Sequence, residues 1–359
     1  MALSPPRRSA TKGRYRLAPA RGGAKELDRA RRRADAAACD VPLGALKMRV
    51  LLHWDVGPAL AARLKDLQSH ELTIAAVATR DEAAYVRAAA DAEVLWHLLT
   101  PVDPARLACS PKLRLIQKIG VGVNTIDLDA AKARGIAVCN MPGTNTRAVA
   151  EMTLALMLSV LRRLTTLDAG VRSGQWVPSS EQCDGVREIG GSTVGLVGYG
   201  SVPQLLAPML AALGARVLYF ARKSVAATAE WRALDDLLRE SDVVSLHLPL
   251  TAETHRLIDG RRLRLMKRGA ILINTARGGL VDQAALVSAL RDGQLGGAGL
   301  DVLEVEPPHE REVILTLSNV VLAPHVAWLT DSTWERSIEL ALANCRRLAA
   351  GEQLLHRVV

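Results

Sequence analysis

Short apolar runs alternate with helix-forming stretches along most of this 359-residue chain, and this alternation constrains its fold more than any other feature. The runs are only a few residues long and rich in Val, Ile and Leu. Strands of that kind, separated by helices, build parallel sheets whose faces are covered by the helices. The alternation therefore predicts an α/β fold.

The alternation forms two series, separated by a long predicted helix over residues 147–164. The first series predicts helices at 59–67 and 128–134, and strands at 50–54, 72–77, 94–98, 113–119 and 136–139. The second begins at Ser192 and predicts strands at 193–197, 216–220, 243–247, 270–273, 297–301 and 320–322. A last helix is predicted over 332–348. Two sheet domains are therefore expected.

The long predicted helix carries a broad apolar face, formed by Val149, Met152, Leu156, Met157 and Val160. Helical periodicity predicts that this face is buried, but it does not indicate which surface packs against it. Two alternatives stay open, which are an interface with a second subunit and burial within the same subunit.

The positive charge of the chain is concentrated at its start. Residues 1–47 contain twelve Lys and Arg against four Asp and Glu, which is +8 of the total of +9. They lack apolar periodicity, which predicts a disordered basic extension before a globular part that begins at Met48. The globular part then carries only about +1, so we expect no nucleic-acid partner.

The composition is that of a soluble globular protein, with 49% hydrophobic and 23% charged residues. No apolar run reaches membrane-spanning length, so no membrane association is expected. The five cysteines are odd in number and have no metal-type spacing, which predicts reduced thiols and a cytoplasmic location. We expect no metal site.

A glycine-rich turn, Gly195-Leu-Val-Gly-Tyr-Gly200, follows the first strand of the second series and precedes a predicted helix over 202–213. In a dinucleotide-binding turn, Gly198 allows the tight bend and Gly200 lets the backbone approach a pyrophosphate at the helix N-terminus. Pro203 stands where the third glycine of that pattern falls. The turn predicts a nicotinamide dinucleotide as cofactor.

The next strand ends in Ala221, Arg222, Lys223 and Ser224. NAD-specific folds place an acidic residue where Ala221 stands, and that residue binds the ribose 2′-hydroxyl. Arg222 and Lys223 would instead attract a 2′-phosphate. We predict a preference for NADPH, with NAD as the second cofactor. The alternative is a solvated basic loop with relaxed specificity.

Three separated residues in the second half supply the chemistry for reducing a 2-oxo acid. The Arg277 guanidinium would bind the substrate carboxylate and polarise the carbonyl. The imidazole of His325 would act as general acid and base. A carboxylate at Glu306 would stabilise the imidazolium and fix its tautomer.

These motifs resemble the D-isomer-specific 2-hydroxyacid dehydrogenase family, from about residue 48 to about residue 329. The resemblance implies two Rossmann-like doubly wound domains, a homodimer, and Glu306 rather than Glu304 as the active carboxylate. It implies a discontinuous substrate domain (48–146 plus 328–359) around a dinucleotide domain (147–327). It also implies further cofactor-binding positions at Ser201, Val202, Leu248, Pro249, Thr275, Ala276 and Asp301.

The substrate site is expected at the loop 118–124, where Val121 and Gly122 would offer backbone N–H groups to the substrate carboxylate. Trp328 is predicted to line the pocket. Relatives that bind phosphorylated substrates carry arginines after the third strand, where this chain has Leu95-Trp-His-Leu-Leu-Thr100. This favours a small unphosphorylated acid, such as glyoxylate or hydroxypyruvate. Phosphoglycerate dehydrogenase and a nucleotide-sensing corepressor of the same fold remain alternatives.

Overall fold

The computed structural model describes residues 47–69, 72–225 and 228–359. The predicted disordered extension, residues 1–47, lies outside the described residues apart from Lys47. Within the described part, two parallel sheets are each covered by helices, so the predicted α/β class is confirmed.

The first sheet has five parallel strands in the order β2-β1-β3-β4-β5. Its strands are β1 Met48–His53, β2 Leu72–Val77, β3 Val94–His97, β4 Leu115–Lys118 and β5 Ala137–Cys139. The helices that alternate with them are α1 Pro58–Asp66, α2 Glu82–Ala89, α3 Pro104–Ala108 and α4 Leu128–Ala133. Strands β3, β4 and β5 are buried along their whole length, as expected of a parallel sheet with both faces covered.

The second sheet has seven parallel strands in the order β12-β11-β10-β9-β6-β7-β8. Its strands are β6 Thr193–Val197, β7 Arg216–Phe220, β8 Glu230–Trp231, β9 Val243–Leu246, β10 Ala270–Asn274, β11 Leu295–Leu300 and β12 Val320–Leu322. Its helices are α5 Thr146–Leu161, α6 Leu164–Arg172, α7 Ser180–Cys183, α8 Ser201–Ala212, α9 Leu234–Glu240, α10 Gly260–Leu265 and α11 Gln283–Arg291. The strand order reverses between β6 and β9. Parallel sheets bind ligands in the crevice at such a reversal, at the carboxyl ends of the strands.

The long predicted helix is divided in the structure. Helix α5 ends at Leu161, and the backbone turns at Arg163, whose φ of 50° lies in the left-handed region, before α6 begins. Leu156, Met157 and Val160 pack into the core between α5 and the second sheet. Burial within the same subunit is therefore the alternative that applies to these three side chains.

The last helix, α12 Asp331–Ala350, packs against the first sheet although the whole second sheet precedes it in sequence. Ile338, Leu342 and Cys345 share a hydrophobic core with the residues of β1 and β3. The buried Asn344 amide also donates a hydrogen bond of 2.6 Å to the side-chain oxygen of Gln117 on β4. The core of the first sheet thus includes residues from both ends of the described chain.

Candidate active site

The segments that carry Arg277, Glu306 and His325 follow three neighbouring strands. Arg277 follows β10, Glu306 follows β11 and His325 follows β12. Because carboxyl ends of parallel strands lie at one edge of the sheet, residues far apart in sequence meet there. The edge carries a cation, a carboxylate and an imidazole together.

His325 and Glu306 are in direct contact. The Nδ1 atom of His325 lies 2.6 Å from one carboxylate oxygen of Glu306, and the other oxygen accepts the backbone N–H of Leu303 at 3.0 Å. Glu304 instead forms an ion pair of 2.8 Å with Arg256. Of the two neighbouring carboxylates, Glu306 is therefore the one that can fix the tautomer of the imidazole.

The backbone of His325 is held by Asp301, at the end of β11. The Asp301 carboxylate accepts the N–H groups of Val326 at 2.8 Å and Ala327 at 2.9 Å, and its carbonyl accepts the N–H of His325 at 2.7 Å. Burial raises the pKa of Asp301, although these two hydrogen bonds oppose the rise. His325 has a φ of 56°, so this loop holds a conformation that histidine rarely adopts.

Trp328 contacts the backbone of the same loop. Its indole N–H donates to the His325 carbonyl at 3.1 Å, and its ring packs edge-on against Trp54 and Trp334. Only 8% of Trp328 is exposed. It stays a predicted substrate-binding residue, but its contacts support a different role, which is to position His325.

The Arg277 guanidinium is aimed by neutral partners. It donates to the side-chain oxygen of Asn124 at 3.0 Å and to the Ala276 carbonyl at 2.6 Å. Burial lowers the pKa of Arg277, and the charge of Glu306 partly offsets this. Within the described residues no carboxylate forms an ion pair with Arg277. The guanidinium therefore retains capacity for the carboxylate of a ligand.

The glycine loop of the first domain meets Arg277. A side chain at Gly122 would overlap the guanidinium of Arg277, so glycine lets the guanidinium lie against the loop. The backbone N–H groups of Val121 and Gly122 have no hydrogen-bond partner in the part of the chain that the structure describes. These N–H groups and Arg277 are donors suited to one small anion.

The dinucleotide turn has the geometry that its sequence predicts. Gly198 has a φ of 99°, and a Cβ atom there would lie 2.6 Å from the His247 carbonyl oxygen. A Cβ atom on Gly200 would meet nothing within 4 Å, so open space lies before the N-terminus of α8. Ser201 and Val202 begin that helix, and the Ser201 hydroxyl accepts a hydrogen bond from Thr146 at 3.2 Å. The residues present thus fit a pyrophosphate.

Pro203 does not disturb this turn. It is buried in the first turn of α8, and the N–H of Gln204 already bonds the Gly200 carbonyl at 3.1 Å. A residue at the position of Pro203 would have had no helical partner for its N–H, so proline costs no hydrogen bond there.

Two glycine substitutions separate the structural from the binding role of this turn. Gly198→Ala forces a side chain into the left-handed region and against His247, so we expect a loss of about 1–3 kcal/mol of stability. Gly200→Ala should keep the melting temperature and raise the KM for the dinucleotide, because its methyl group enters only open space. Calorimetry and cofactor titration measure both. An equal loss of melting temperature in the two variants would contradict the assignment.

The basic residues after β7 are exposed. Arg222 and Lys223 form no ion pair among the described residues, although Arg222 adds to the lowering of the Glu253 pKa, which is caused first by a hydrogen bond from Thr251. The hydroxyl of Tyr219 bonds both the N–H and the carbonyl of Val225, at 2.9 and 2.7 Å. The loop that carries the cations is thereby fixed to β7.

The other predicted cofactor positions line the same edge. Leu248 and Pro249 follow β9, at the reversal of strand order, where Leu248 is half-buried and Pro249 is exposed. Thr275 follows β10 and its hydroxyl pairs with that of Thr153 on α5 at 2.9 Å. Ala276 carries the carbonyl that accepts from Arg277. These positions and Asp301 therefore follow the carboxyl ends of three neighbouring strands, β9, β10 and β11.

Sequence reasoning missed two contributors to the site. Asn124 was seen only as the end of a glycine loop, and its contact with Arg277 joins residues 153 positions apart. Lys118 was seen only as the start of that loop, yet it is a buried amine. Their positions in the loop 118–124 were visible, but the contact of Asn124 with Arg277 and the burial of Lys118 depend on the tertiary structure.

No helix in the described ranges combines the length and apolar character that a membrane span needs. The described residues also contain no group of three or more His, Cys, Asp or Glu able to hold a metal ion.

Known proteins resemble this chain in sequence. Residues 154–327 match the family model described as D-isomer specific 2-hydroxyacid dehydrogenase, NAD binding domain. A glyoxylate reductase of Thermococcus litoralis is 42% identical over 260 residues, which cover 70% of this chain and 78% of that relative. A D-3-phosphoglycerate dehydrogenase of Mycobacterium leprae is 41% identical over 258 residues, but only 48% of its length is covered.

Solved structures show the same fold. The TT0316 protein from Thermus thermophilus aligns with a TM-score of 0.78 and 39% identity, covering 87% of this chain and all of that one. A D-lactate dehydrogenase from Aquifex aeolicus, solved with NAD and lactic acid, aligns with a TM-score of 0.72 and 32% identity, covering 84% and 96%.

Proposed function

Because this chain belongs to the D-isomer specific 2-hydroxyacid dehydrogenase family, we propose that Arg277, Glu306 and His325 are its catalytic residues. It is an oxidoreductase that acts on the CH–OH group with a nicotinamide cofactor, and its substrates are small 2-oxo and 2-hydroxy acids. The contact of 2.6 Å between His325 and Glu306, at the edge that also carries Arg277, is the observation that supports the three roles. In this division, residues 48–146 and 328–359 form the substrate domain and 147–327 the cofactor domain.

The reduction needs a hydride at the carbonyl carbon and a proton at its oxygen. The reduced nicotinamide, when bound, supplies the hydride. Arg277 and the N–H groups of Val121 and Gly122 hold the substrate carboxylate, which orients the carbonyl. His325 donates the proton from Nε2, because Nδ1 is held by Glu306. Asp301 and Trp328 keep the imidazole in place through the backbone of its loop.

The substrate that we propose is small and unphosphorylated, such as glyoxylate or hydroxypyruvate. After β3, residues 95–100 include the buried Leu98 and lack the arginines expected of relatives that bind phosphorylated substrates. The phosphoglycerate dehydrogenase alternative also rests on relatives that this chain covers only by half. A panel of 2-oxo acids assayed with NADPH and NADH tests the proposal. Turnover of 3-phosphohydroxypyruvate above that of glyoxylate would favour the alternative.

The cofactor that we propose as preferred is NADPH. Arg222 and Lys223 lie exposed at the loop where the ribose phosphate of this cofactor would bind, and Ala221 adds no repulsion. A charge-assisted pair contributes about 1.5–3 kcal/mol, or roughly tenfold to over a hundredfold in affinity. Arg222 therefore provides enough energy to separate the two cofactors.

We expect the double change Ala221→Asp with Arg222→Ala to reverse the preference. Attraction for the phosphate is lost, and the new carboxylate repels it while binding the ribose hydroxyls of NADH. The ratio of kcat/KM with NADPH to kcat/KM with NADH should shift by roughly tenfold to a hundredfold. Lys267→Gln, on a distant surface, is the control for a lost charge. An unchanged ratio in the double variant would show that Arg222 does not reach the phosphate.

We also propose a cytoplasmic homodimer. Helix α6 and the segment after it expose Leu164, Val171, Trp176 and Val177, with Trp176 82% exposed. An apolar patch of this kind is a typical protein interface. The four cysteines in the described residues are free, which fits a reducing compartment. Light scattering of the purified protein measures the oligomeric state, and a monomer would contradict the proposal.

A further inference from the structure

Three neighbouring strands of the first sheet end in buried basic residues. His53, His97 and Lys118 are the last residues of β1, β3 and β4, and each is at most 4% exposed. His97 lies directly opposite Lys118 in the strand register. These carboxyl ends form the edge from which the glycine loop leads to Arg277.

Burial lowers the pKa of both histidines, His53 and His97. The His97 Nε2 atom pairs with the Thr125 hydroxyl at 2.9 Å, and burial holds its pKa well below the usual value. The His53 ring lies 4.6 Å from the Tyr85 ring at a tilt of 47°, and its Nδ1 atom lies 3.4 Å from the Arg106 guanidinium. Burial, followed by the charge of Arg106, lowers the pKa of His53. Neither imidazole is therefore charged at neutral pH.

Of these three basic residues in a row at the strand ends, Lys118 lies nearest to the substrate site. Its amine donates a hydrogen bond to the Leu98 carbonyl, and no carboxylate among the described residues forms an ion pair with it. Its Cε atom lies 3.7 Å from the place where a Cβ atom on Gly120 would be, so the side chain runs beneath the glycine loop. In that loop Gly122 lies against the Arg277 guanidinium.

A buried amine without a counterion is expensive to keep charged. Burial and then the charge of Arg277 lower the pKa of Lys118 to about 7. The amine is therefore poised to change charge near neutrality. An anion bound at Arg277 would offset the repulsion from the guanidinium and attract the proton back to the amine.

We propose that Lys118 is a second cation of the substrate site, one that takes up a proton when the anionic substrate binds and so strengthens the hold of Arg277 on its carboxylate. This inference rests on the proposed function and deepens it. Lys118 acts through its field and through the loop above it, so it is a positioning residue. Its effect falls on substrate affinity more than on the chemical step.

The charged groups around Lys118 decide how its contribution to substrate affinity changes with pH. Arg277 stays positive and the buried His97 stays neutral across the neutral range, while His53 and Arg106 lie further along the row. Below pH of about 7 the Lys118 amine is charged in the free enzyme, and its contribution to substrate binding is complete. As pH rises beyond the pKa of the amine in the complex, that contribution is lost.

The experiment must remove the imidazole of His325, which also faces the substrate. In a His325→Ala background with NADPH bound, the Kd of oxamate, a non-reducible carboxylate, is measured by calorimetry from about pH 6 to about pH 9. We expect Kd to rise about tenfold over this range, the usual contribution of a charge-assisted interaction. Adding Lys118→Met should give weak binding at every pH. Adding Lys118→Arg should give a low Kd that does not change with pH, because guanidinium stays charged.

Proton uptake provides a second measurement, which starts from the protein with Lys118 in place. Oxamate binding in buffers of different ionisation enthalpy should show net proton uptake just above pH of about 7, and the uptake should vanish with Lys118→Met. The inference is overturned if the double variant with methionine keeps the pH dependence of Kd. Glyoxylate turnover by the unaltered enzyme is measured first, so loss of the proposed function is recognised separately.

Discussion

Replacing His325 by alanine should lower kcat for glyoxylate reduction by about 10²- to 10⁴-fold, the usual contribution of a general acid. Without the imidazole, the carbonyl oxygen has no proton donor held in place by Glu306. Dinucleotide binding should stay unchanged, because the glycine turn and the loop after β7 are untouched. Stopped-flow measurement of NADPH oxidation, with separate titration of NADPH, distinguishes these effects. A His325→Ala enzyme with near-normal kcat would contradict the role.

The two neighbouring glutamates provide a matched control for this prediction. Glu306→Gln removes the charge that stabilises the imidazolium, and we expect a clear loss of kcat. Glu304→Gln is the same chemical change two residues earlier, but it breaks only the ion pair with Arg256. That variant should keep its kcat. Equal losses in the two variants would indicate a general effect of lost negative charge.

Replacing Arg277 by methionine should lower kcat/KM by roughly 10²- to 10⁴-fold. Two charge-assisted hydrogen bonds to the substrate carboxylate contribute about 1.5–3 kcal/mol each, and both are lost. Arg277→Lys should recover only part of the loss, because an ammonium cannot form the bidentate contact. Arg256→Gln, which removes a nearby exposed guanidinium, serves as the control and should leave kcat/KM unchanged. A normal kcat/KM in Arg277→Met would contradict the proposal that Arg277 binds the substrate carboxylate.

The strands could be predicted because their apolar runs are buried on both faces, as in β3 and β10. Strand β8 could not, because its two residues, Glu230 and Trp231, are exposed and carry no apolar pattern. The end of the long helix was also hidden. Arg163 takes a left-handed backbone there, and nothing in its sequence neighbourhood requires that conformation.

The three proposed catalytic residues could be picked out in the sequence because each lies in a distinctive stretch after a strand. The choice between Glu304 and Glu306 could be made only by resemblance, since spacing does not tell which side chain turns toward His325. The lowered pKa of Lys118 depends on its burial and then on the charge of Arg277, and the way Asp301 holds the His325 loop depends on backbone geometry. Neither has a pattern in the linear sequence.

The configuration of the product tests the central claim most directly. Purified enzyme, NADPH and hydroxypyruvate should yield D-glycerate, measured by chiral chromatography, and His325→Ala should yield about 10²- to 10⁴-fold less in the same time. Formation of L-glycerate, or no glycerate with either NADPH or NADH, would contradict the account.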